Sequence, residues 1–321
     1  DILDGASKGN SALLHTGFDA PEGSVELGCI QSGHREYLAI KDKLNLPLVE
    51  SGALVVAWDE EQLAKLPAIV ARAHRNGVGD VMQIDRDDLR KREPQLSERG
   101  LGAVHVPGEH IIDPWSAPLA YAHQGLAHGG KTLRRCRVIG GVFDGARWIL
   151  QTTLGDISAG IVINAAGNHG DLVEAINQPP AFAITPRKGQ FVVFDKPASK
   201  LLHAIILPVP TERTKGVVAC RTAFGNLLVG PTAEDQQERS HADVDRATLE
   251  QLIAKGMEMI PALAHHSVNA IYAGLRPATQ FKDYQIAANP ERHWITAAGI
   301  RSTGLTAALG IAQMIGRSFA E

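Results

Sequence analysis

Three places in this 321-residue chain carry side chains whose type and spacing could do chemistry. His15 follows Ala12-Leu13-Leu14 inside a loop rich in Gly, Ser and Asn that runs from Gly5 to Phe18. An imidazole there can move a proton near neutral pH, or it can simply fill a structural position. Arg276 stands in Tyr272-Ala273-Gly274-Leu275-Arg276-Pro277. Held between an apolar strand and a proline, its planar fork suits a carboxylate or phosphate, although an arginine before a surface turn needs no such role. The third place is His293 to Leu309: an apolar strand, a turn through Gly299, Ile300, Arg301, Ser302 and Thr303, and a helix running to Ala320. Such a turn aims unpaired N–H groups and the positive end of a helix dipole at one point. That suits an anion, or a ring atom that gains negative charge on reduction. It equally describes a plain strand–helix connection with Ser302 or Thr303 as N-cap.

The elements that must position these residues follow from pattern. Helices are expected over Glu26–Leu44, from Asp59 (as cap) to about Arg75 with a stop at Gly77, over Asp88–Glu93 behind Asp85, from Pro114 to about His128, and over Val244–Met259. Strands are expected over Ala53–Trp58, Val81–Ile84 and residues 104–113, and a hairpin over Leu133–Val142 and Trp148–Thr153. Ile161-Val162-Ile163-Asn164-Ala165-Ala166-Gly167 reads as a buried strand of a parallel sheet covered on both faces. Gly189–Phe194, His203–Pro208, Gly216–Arg221 and Leu227–Val229 read as an antiparallel sheet, and Ile271–Pro277 leads to the closing strand and helix.

Gly125-Leu126-Ala127-His128-Gly129-Gly130-Lys131-Thr132 matches the phosphate-loop pattern GxxxxGK[ST] letter for letter. A working loop needs a strand before it and a helix after it; here the order is reversed, so Gly129-Gly130 reads as a helix C-cap. His265-His266 has no ligand-spaced carboxylate. Cys29, Cys136 and Cys220 are isolated, so neither zinc nor a disulfide framework is indicated. A net charge of −3 gives no basis for a nucleic-acid partner. No apolar run approaches a membrane span and no signal peptide is visible, so a reducing cytoplasm is the default; peripheral membrane association is not legible. An apolar fraction of 44% with 32 Gly and 17 Pro fits a turn-rich α/β chain of two, possibly interleaved, domains.

The chain resembles FAD-dependent oxidoreductases of the D-amino-acid oxidase superfamily, most of all the branch with glycerol-3-phosphate dehydrogenase and L-2-hydroxyglutarate oxidase. The closing segment is similar to that family's C-terminal flavin-contacting motif. Ser7–Gly17 looks like its TSGNNSGVIHAG-type loop, with Lys8 where a small residue is common. Val162–Gly167 resembles its second flavin-domain signature, Gly274–Pro277 its GLRP motif, and Leu228–Asp235 its GPTAED stretch, a scaffold of the substrate domain. The resemblance implies FAD contacts at Ser7, Asn10, Ser11, Val138, Ala166, Gly167, Gly299, Arg301, Ser302, Thr303, Gly304, Leu305 and Thr306. It implies catalytic roles for His15, as base for the substrate hydroxyl, and for Arg276 and Arg301 as cationic contacts to an anionic substrate.

The fold implied is α/β with an α+β substrate domain. A Rossmann-like, glutathione-reductase-like FAD domain (1–30, 104–175 and 290–321) would interleave with an antiparallel-sheet cap (31–103 and 176–289). The reaction implied is hydride transfer from a small anionic hydroxy compound, glycerol 3-phosphate-like or a 2-hydroxy acid, to flavin. The electron acceptor (oxygen, quinone or another subunit) is left open. An amine oxidase of the glycine or sarcosine oxidase type, and a flavin-free relic or fragment, are the alternatives. No GxGxxG occurs in the sequence. A βαβ unit takes roughly 30 or more residues, and this chain starts where one would have ended, so the sequence is expected to lack that N-terminal unit.

Overall fold

A computed structural model describes Leu3, residues 5–210 and residues 216–318. Asp1, Ile2 and Asp4 of the opening stretch, and the helix end expected at Ala320, lie outside the described residues. The chain begins with β1 (Leu13–Leu14), α1 (Val25–Ile40) and β2 (Leu48–Val49). There follow β3 (Ala53–Ala57), α2 (Glu60–Arg75), β4 (Met82–Asp85), α3 (Arg86–Arg92), β5 (Gly102–Val106) and β6 (His110–Ile112). After α4 (Ser116–Ala127) come β7 (Val138–Phe143), β8 (Trp148–Thr152), β9 (Gly155–Ala159), β10 (Val162–Asn164) and α5 (Gly170–Asn177). A strand-rich stretch holds β11 (Ile184–Phe194), β12 (Ile205–Pro208), β13 (Val218–Arg221), β14 (Leu227–Gly230) and β15 (Glu234–Asp235). The chain continues with α6 (Arg246–Met259), β16 (Val268–Thr279), β17 (Gln285–Asn289), β18 (Trp294–Ala298) and α7 (Gly304–Ser318).

Local chemistry explains the helix starts. The side chains of Ser24, Asp59, Asp85 and Asp245 accept N–H groups of the first turn in α1, α2, α3 and α6, which removes orphan donors at each N-terminus. α1 ends at Ile40, short of the expected Leu44, because residues 41–45 form turns. The first strand of the hairpin starts at Val138 rather than Leu133, and Arg135 has a φ of 59° that a strand does not accommodate.

Two sheet systems carry the architecture. A nine-stranded, mostly antiparallel sheet runs β15-β11-β14-β13-β12-β3-β5-β4, with β16 also on β11. Its two faces hold separate apolar clusters, one around Phe194, Leu202 and Leu252, the other around Leu66, Val104 and Ile205. A smaller sheet, β10-β18-β17, pairs β10 with β18 in parallel and β17 with β18 antiparallel. Among the described residues no continuous sheet joins β10 to β11 and β14. β10 is not covered on both faces as expected. Val162 and Asn164 are buried, but Ile161 and Ile163 are 47% and 45% exposed, so among the described residues only one face of this strand is well covered.

The expected domain division is cut by three elements. The boundary at 30/31 falls inside α1, a single helix that lies along α7. The boundary at 103/104 falls inside β5, which pairs with β3 and β4 of the large sheet, and 289/290 separates β17 from its partner β18. α1 and α7 touch backbone to backbone. A Cβ on Gly33 would lie 2.0 Å from the Thr306 carbonyl oxygen, and one on Gly310 would lie 2.1 Å from that of Cys29.

Candidate active site

The loop before β1 is folded on itself by Asn10. Its Nδ2 donates to the Ser7 carbonyl (2.7 Å) and its Oδ1 accepts the Ala12 N–H (2.7 Å). On one side the loop is pressed on β16: the Tyr272 hydroxyl donates to the Asn10 carbonyl (2.7 Å), and a Cβ on Gly274 would lie 2.1 Å from the Gly9 oxygen. On the other side it meets the first turn of α7. The Thr306 hydroxyl accepts the His15 N–H (3.0 Å) and donates to the Leu13 carbonyl (3.1 Å). The turn before α7 therefore lies against residues 13–15.

His15 also has a partner that the sequence did not reveal. Its Nδ1 is 2.9 Å from Oε2 of Glu109, a carboxylate with no solvent exposure. Oε1 of the same group accepts the Thr16 N–H (2.6 Å) and the Thr16 hydroxyl (2.9 Å). A buried charge is tolerated when donors surround it, and here two consecutive residues supply them. The available signal was Val106-Pro107-Gly108-Glu109-His110, a carboxylate between two apolar strands with no partner nearby in sequence.

Tyr272, Gly274 and Arg276 alternate along β16 and so share one face, the face that meets the loop at Asn10 and Gly9. Arg276 is more committed than a waiting clamp. Its Nη2 donates to the Thr232 carbonyl (2.6 Å) and to that of Lys188 (3.4 Å), and its Nε donates to that of Arg187 (3.4 Å). No described residue bonds Nη1, so the fork offers that nitrogen. Burial, with the Arg187 guanidinium beside it, lowers the Arg276 pKa to about 10 against the pull of Asp235, which leaves it charged at neutral pH. Arg301 takes a different partner, the Lys282 carbonyl.

The closing turn decides against Thr303 in the cap alternative. Thr303 is buried, and its hydroxyl does not cap α7. It donates to Glu26 Oε1 (2.7 Å) and sits 2.5 Å from the Tyr284 hydroxyl. Burial, with Glu26 close by, raises the Tyr284 pKa. The first helical bond runs from Ala307 N–H to the Thr303 carbonyl (2.9 Å), so the N–H groups of Gly304, Leu305 and Thr306 have no carbonyl within the helix. Ser302 is exposed, and Gly299 has a φ of 69°.

The remaining expected contacts are dispersed. Ser11 precedes Ala12, whose φ is 57°. Ala166 and Gly167 begin a turn after β10, tied to β16 because Asn168 Nδ2 donates to the Leu275 carbonyl (3.0 Å). Val138 opens β7 of the separate antiparallel meander β7-β8-β9 and pairs with Thr152. Gly125–Thr132 is a helix end, not a phosphate loop. The Gly129 N–H bonds the Leu126 carbonyl and the Gly130 N–H bonds that of Gly125, with Gly129 at a φ of 87°, the closing geometry that glycine permits. Among the described residues no cluster could hold a metal, and no helix is long and apolar enough to cross a membrane.

Comparison with known families decides which chemistry this assembly belongs to, since the FAD dependent oxidoreductase family matches residues 1–317. The chain belongs to that family. It is 26% identical to the glycerol 3-phosphate dehydrogenase of Caloramator mitchellensis over 97% of this chain and 65% of that protein, so it spans about two thirds of that relative's length. It is 30% identical to the L-2-hydroxyglutarate dehydrogenase of Indibacter alkaliphilus over 70% of this chain and 57% of that one. The same fold is found in the dithionite-reduced L-α-glycerophosphate oxidase of Mycoplasma pneumoniae with FAD bound. The TM-score is 0.89 at 23% identity, over 98% of this chain and 84% of that one.

The described residues of this family member fit the ring end of a flavin. The Gly9–Gly274 contact leaves no room for side chains between loop and strand, and the first N–H groups of α7 are suited to negative charge. Asn10, Ser11 and the Gly304–Thr306 turn would hold that end. The GxGxxG pattern that binds a pyrophosphate does not occur among the 321 residues.

Proposed function

We propose that this chain is the catalytic part of a cytoplasmic FAD-dependent oxidoreductase. Its substrate is a small anionic hydroxy compound, glycerol 3-phosphate or a 2-hydroxy acid. The observation that carries the reading is His15, held by backbone and ring between Thr306 at the start of α7 and Glu109. FAD, when bound, supplies the acceptor for the hydride that leaves the substrate carbon. His15 takes the hydroxyl proton at Nε2. Arg276, charged and fixed on the loop-facing side of β16, holds the substrate's anionic end through Nη1, and Arg301 stands nearer the closing turn as a second cation. The names of the relatives in Caloramator and Indibacter support an alcohol over an amine donor. The electron acceptor is oxygen, a quinone or another subunit.

The test is anaerobic mixing of flavin-loaded protein with sn-glycerol 3-phosphate, L-2-hydroxyglutarate, glycine or sarcosine, following flavin bleaching. Bleaching by a hydroxy compound and not by the amines is expected. A protein that retains no flavin on loading, or is reduced by the amines alone, overturns the proposal.

A further inference from the structure

We propose that Glu109 is a positioning residue: its buried carboxylate holds the His15 Nδ1–H and so fixes the ring in the tautomer whose lone pair is on Nε2. The proposal rests on the reading of His15 as the base. An ionised carboxylate only accepts, and Oε1 already receives the Thr16 N–H and hydroxyl. Those two donors fix the carboxyl plane and aim Oε2 at Nδ1, 2.9 Å away. The frame around them is rigid. Leu14 pairs with His110 in the β1–β6 ladder, which sets Glu109 and His15 side by side. A Cβ on Gly108 would lie 2.8 Å from the Thr16 methyl, so the turn carrying Glu109 packs on Thr16. The His34 ring holds the Gly108 carbonyl (3.0 Å) from the other side.

With FAD bound to take the substrate's C–H hydride, the O–H proton would pass to Nε2 of His15 as the carbon–oxygen bond became a carbonyl. The imidazolium so formed faces the Glu109 carboxylate, which stabilises it and takes no proton. Joining Thr16 to the loop occupies Oε1 alone; Oε2 is given over to the ring.

The experiment is 15N NMR of histidine-labelled protein, with the His15 signal assigned by its loss in His15→Gln. Wild type should carry the proton on Nδ1 and an unprotonated Nε2 at a pH where the ring is neutral. Finding the reverse overturns the proposal without any variant. In Glu109→Gln the amide oxygen keeps the Thr16 bonds and its NH2 faces Nδ1, so the ring should turn over to the Nε2–H form. Flavin reduction by sn-glycerol 3-phosphate should slow by about 10²–10⁴-fold, the range of a lost general base, with the flavin still bound and substrate KM little changed. Glu109→Asp should restore the Nδ1–H form and part of the rate. A Glu109→Gln protein with wild-type tautomer or wild-type rate overturns the role of Glu109. Should His15→Gln itself reduce at the wild-type rate, the base reading fails instead.

Discussion

Gly33→Ala should damage the reaction from a position that touches no substrate. The added Cβ would stand 2.0 Å from the Thr306 carbonyl oxygen, where contacts below 3.0 Å do not occur and the obstacle is backbone. α1 and α7 must therefore part by about 1 Å, an overpacking that costs about 1–3 kcal/mol. The displaced residue is Thr306, whose hydroxyl holds both the Leu13 carbonyl and the His15 N–H. A misplacement of about 1 Å can reduce turnover by about 10²-fold, so kcat/KM should fall by one to two orders of magnitude while the protein still folds. Gly28→Ala is the internal control. It lies on the same helix, its Cβ meets nothing within 4 Å, and better helix propensity should stabilise it by about 0.5–1 kcal/mol. Urea unfolding and flavin-reduction kinetics on both variants decide the matter. Equal behaviour of the two, or a Gly33→Ala protein with wild-type midpoint and rate, would refute the reasoning.

Arg276→Lys should raise substrate KM about tenfold or more and leave flavin absorbance intact, since one charge-assisted bond contributes about 1.5–3 kcal/mol; steady-state titration checks this. Asp171 is buried, which opposes ionisation, but Arg239 at 2.6 and 3.0 Å and the N–H groups of Ile184 and Leu172 hold it below the usual carboxylate range. Its contribution is complete above the ordinary carboxylate pKa and is lost as pH falls through the lowered one. Asp171→Asn should therefore cost at least about 2 kcal/mol near neutrality, and its unfolding midpoint should converge on wild type as pH falls through the lowered carboxyl pKa. Burial pushes the thiol pKa of Cys29 up to about 11, with help from Asp283, and that of Cys220 up to about 12. In the native state only half-buried Cys136 should react with a thiol reagent near neutral pH, read by peptide mass spectrometry; labelling of Cys220 before unfolding would contradict its placement.

What could be read in the chain divides by range. Caps at Asp59 and Asp85, the glycine stop after α4 and the separation of β10 from β11 are local, and pattern found them. The burial of β10 was misjudged because an apolar run states which side chains prefer cover, not whether both faces receive it. Thr303 was expected to contact flavin, with a helix cap as the plain alternative; its hydroxyl goes to Glu26, 277 residues away, which no local pattern shows. Glu109 showed only as a carboxylate between two apolar strands, since its partners His15 and Thr16 follow β1, 94 and 93 residues away. Arg276 was placed by its motif, but the carbonyls of Arg187, Lys188 and Thr232 that occupy Nε and Nη2 come from two other segments.

The bond between the His15 N–H and Thr306 spans 291 residues, and this distance has a consequence for biogenesis. During synthesis the His15 loop is made well before the helix against which it is shaped. The large sheet can form in the meantime, because strands β3 to β5 and β11 to β16 each pair within their own stretch. Long-range closure comes late and slowly in such a topology, and domains otherwise form from the N-terminus as the ribosome proceeds. The catalytic loop is thus completed only once α7 has been made. Nascent chains arrested before Gly304 should be compact around the sheet and still open to protease at residues 5–18.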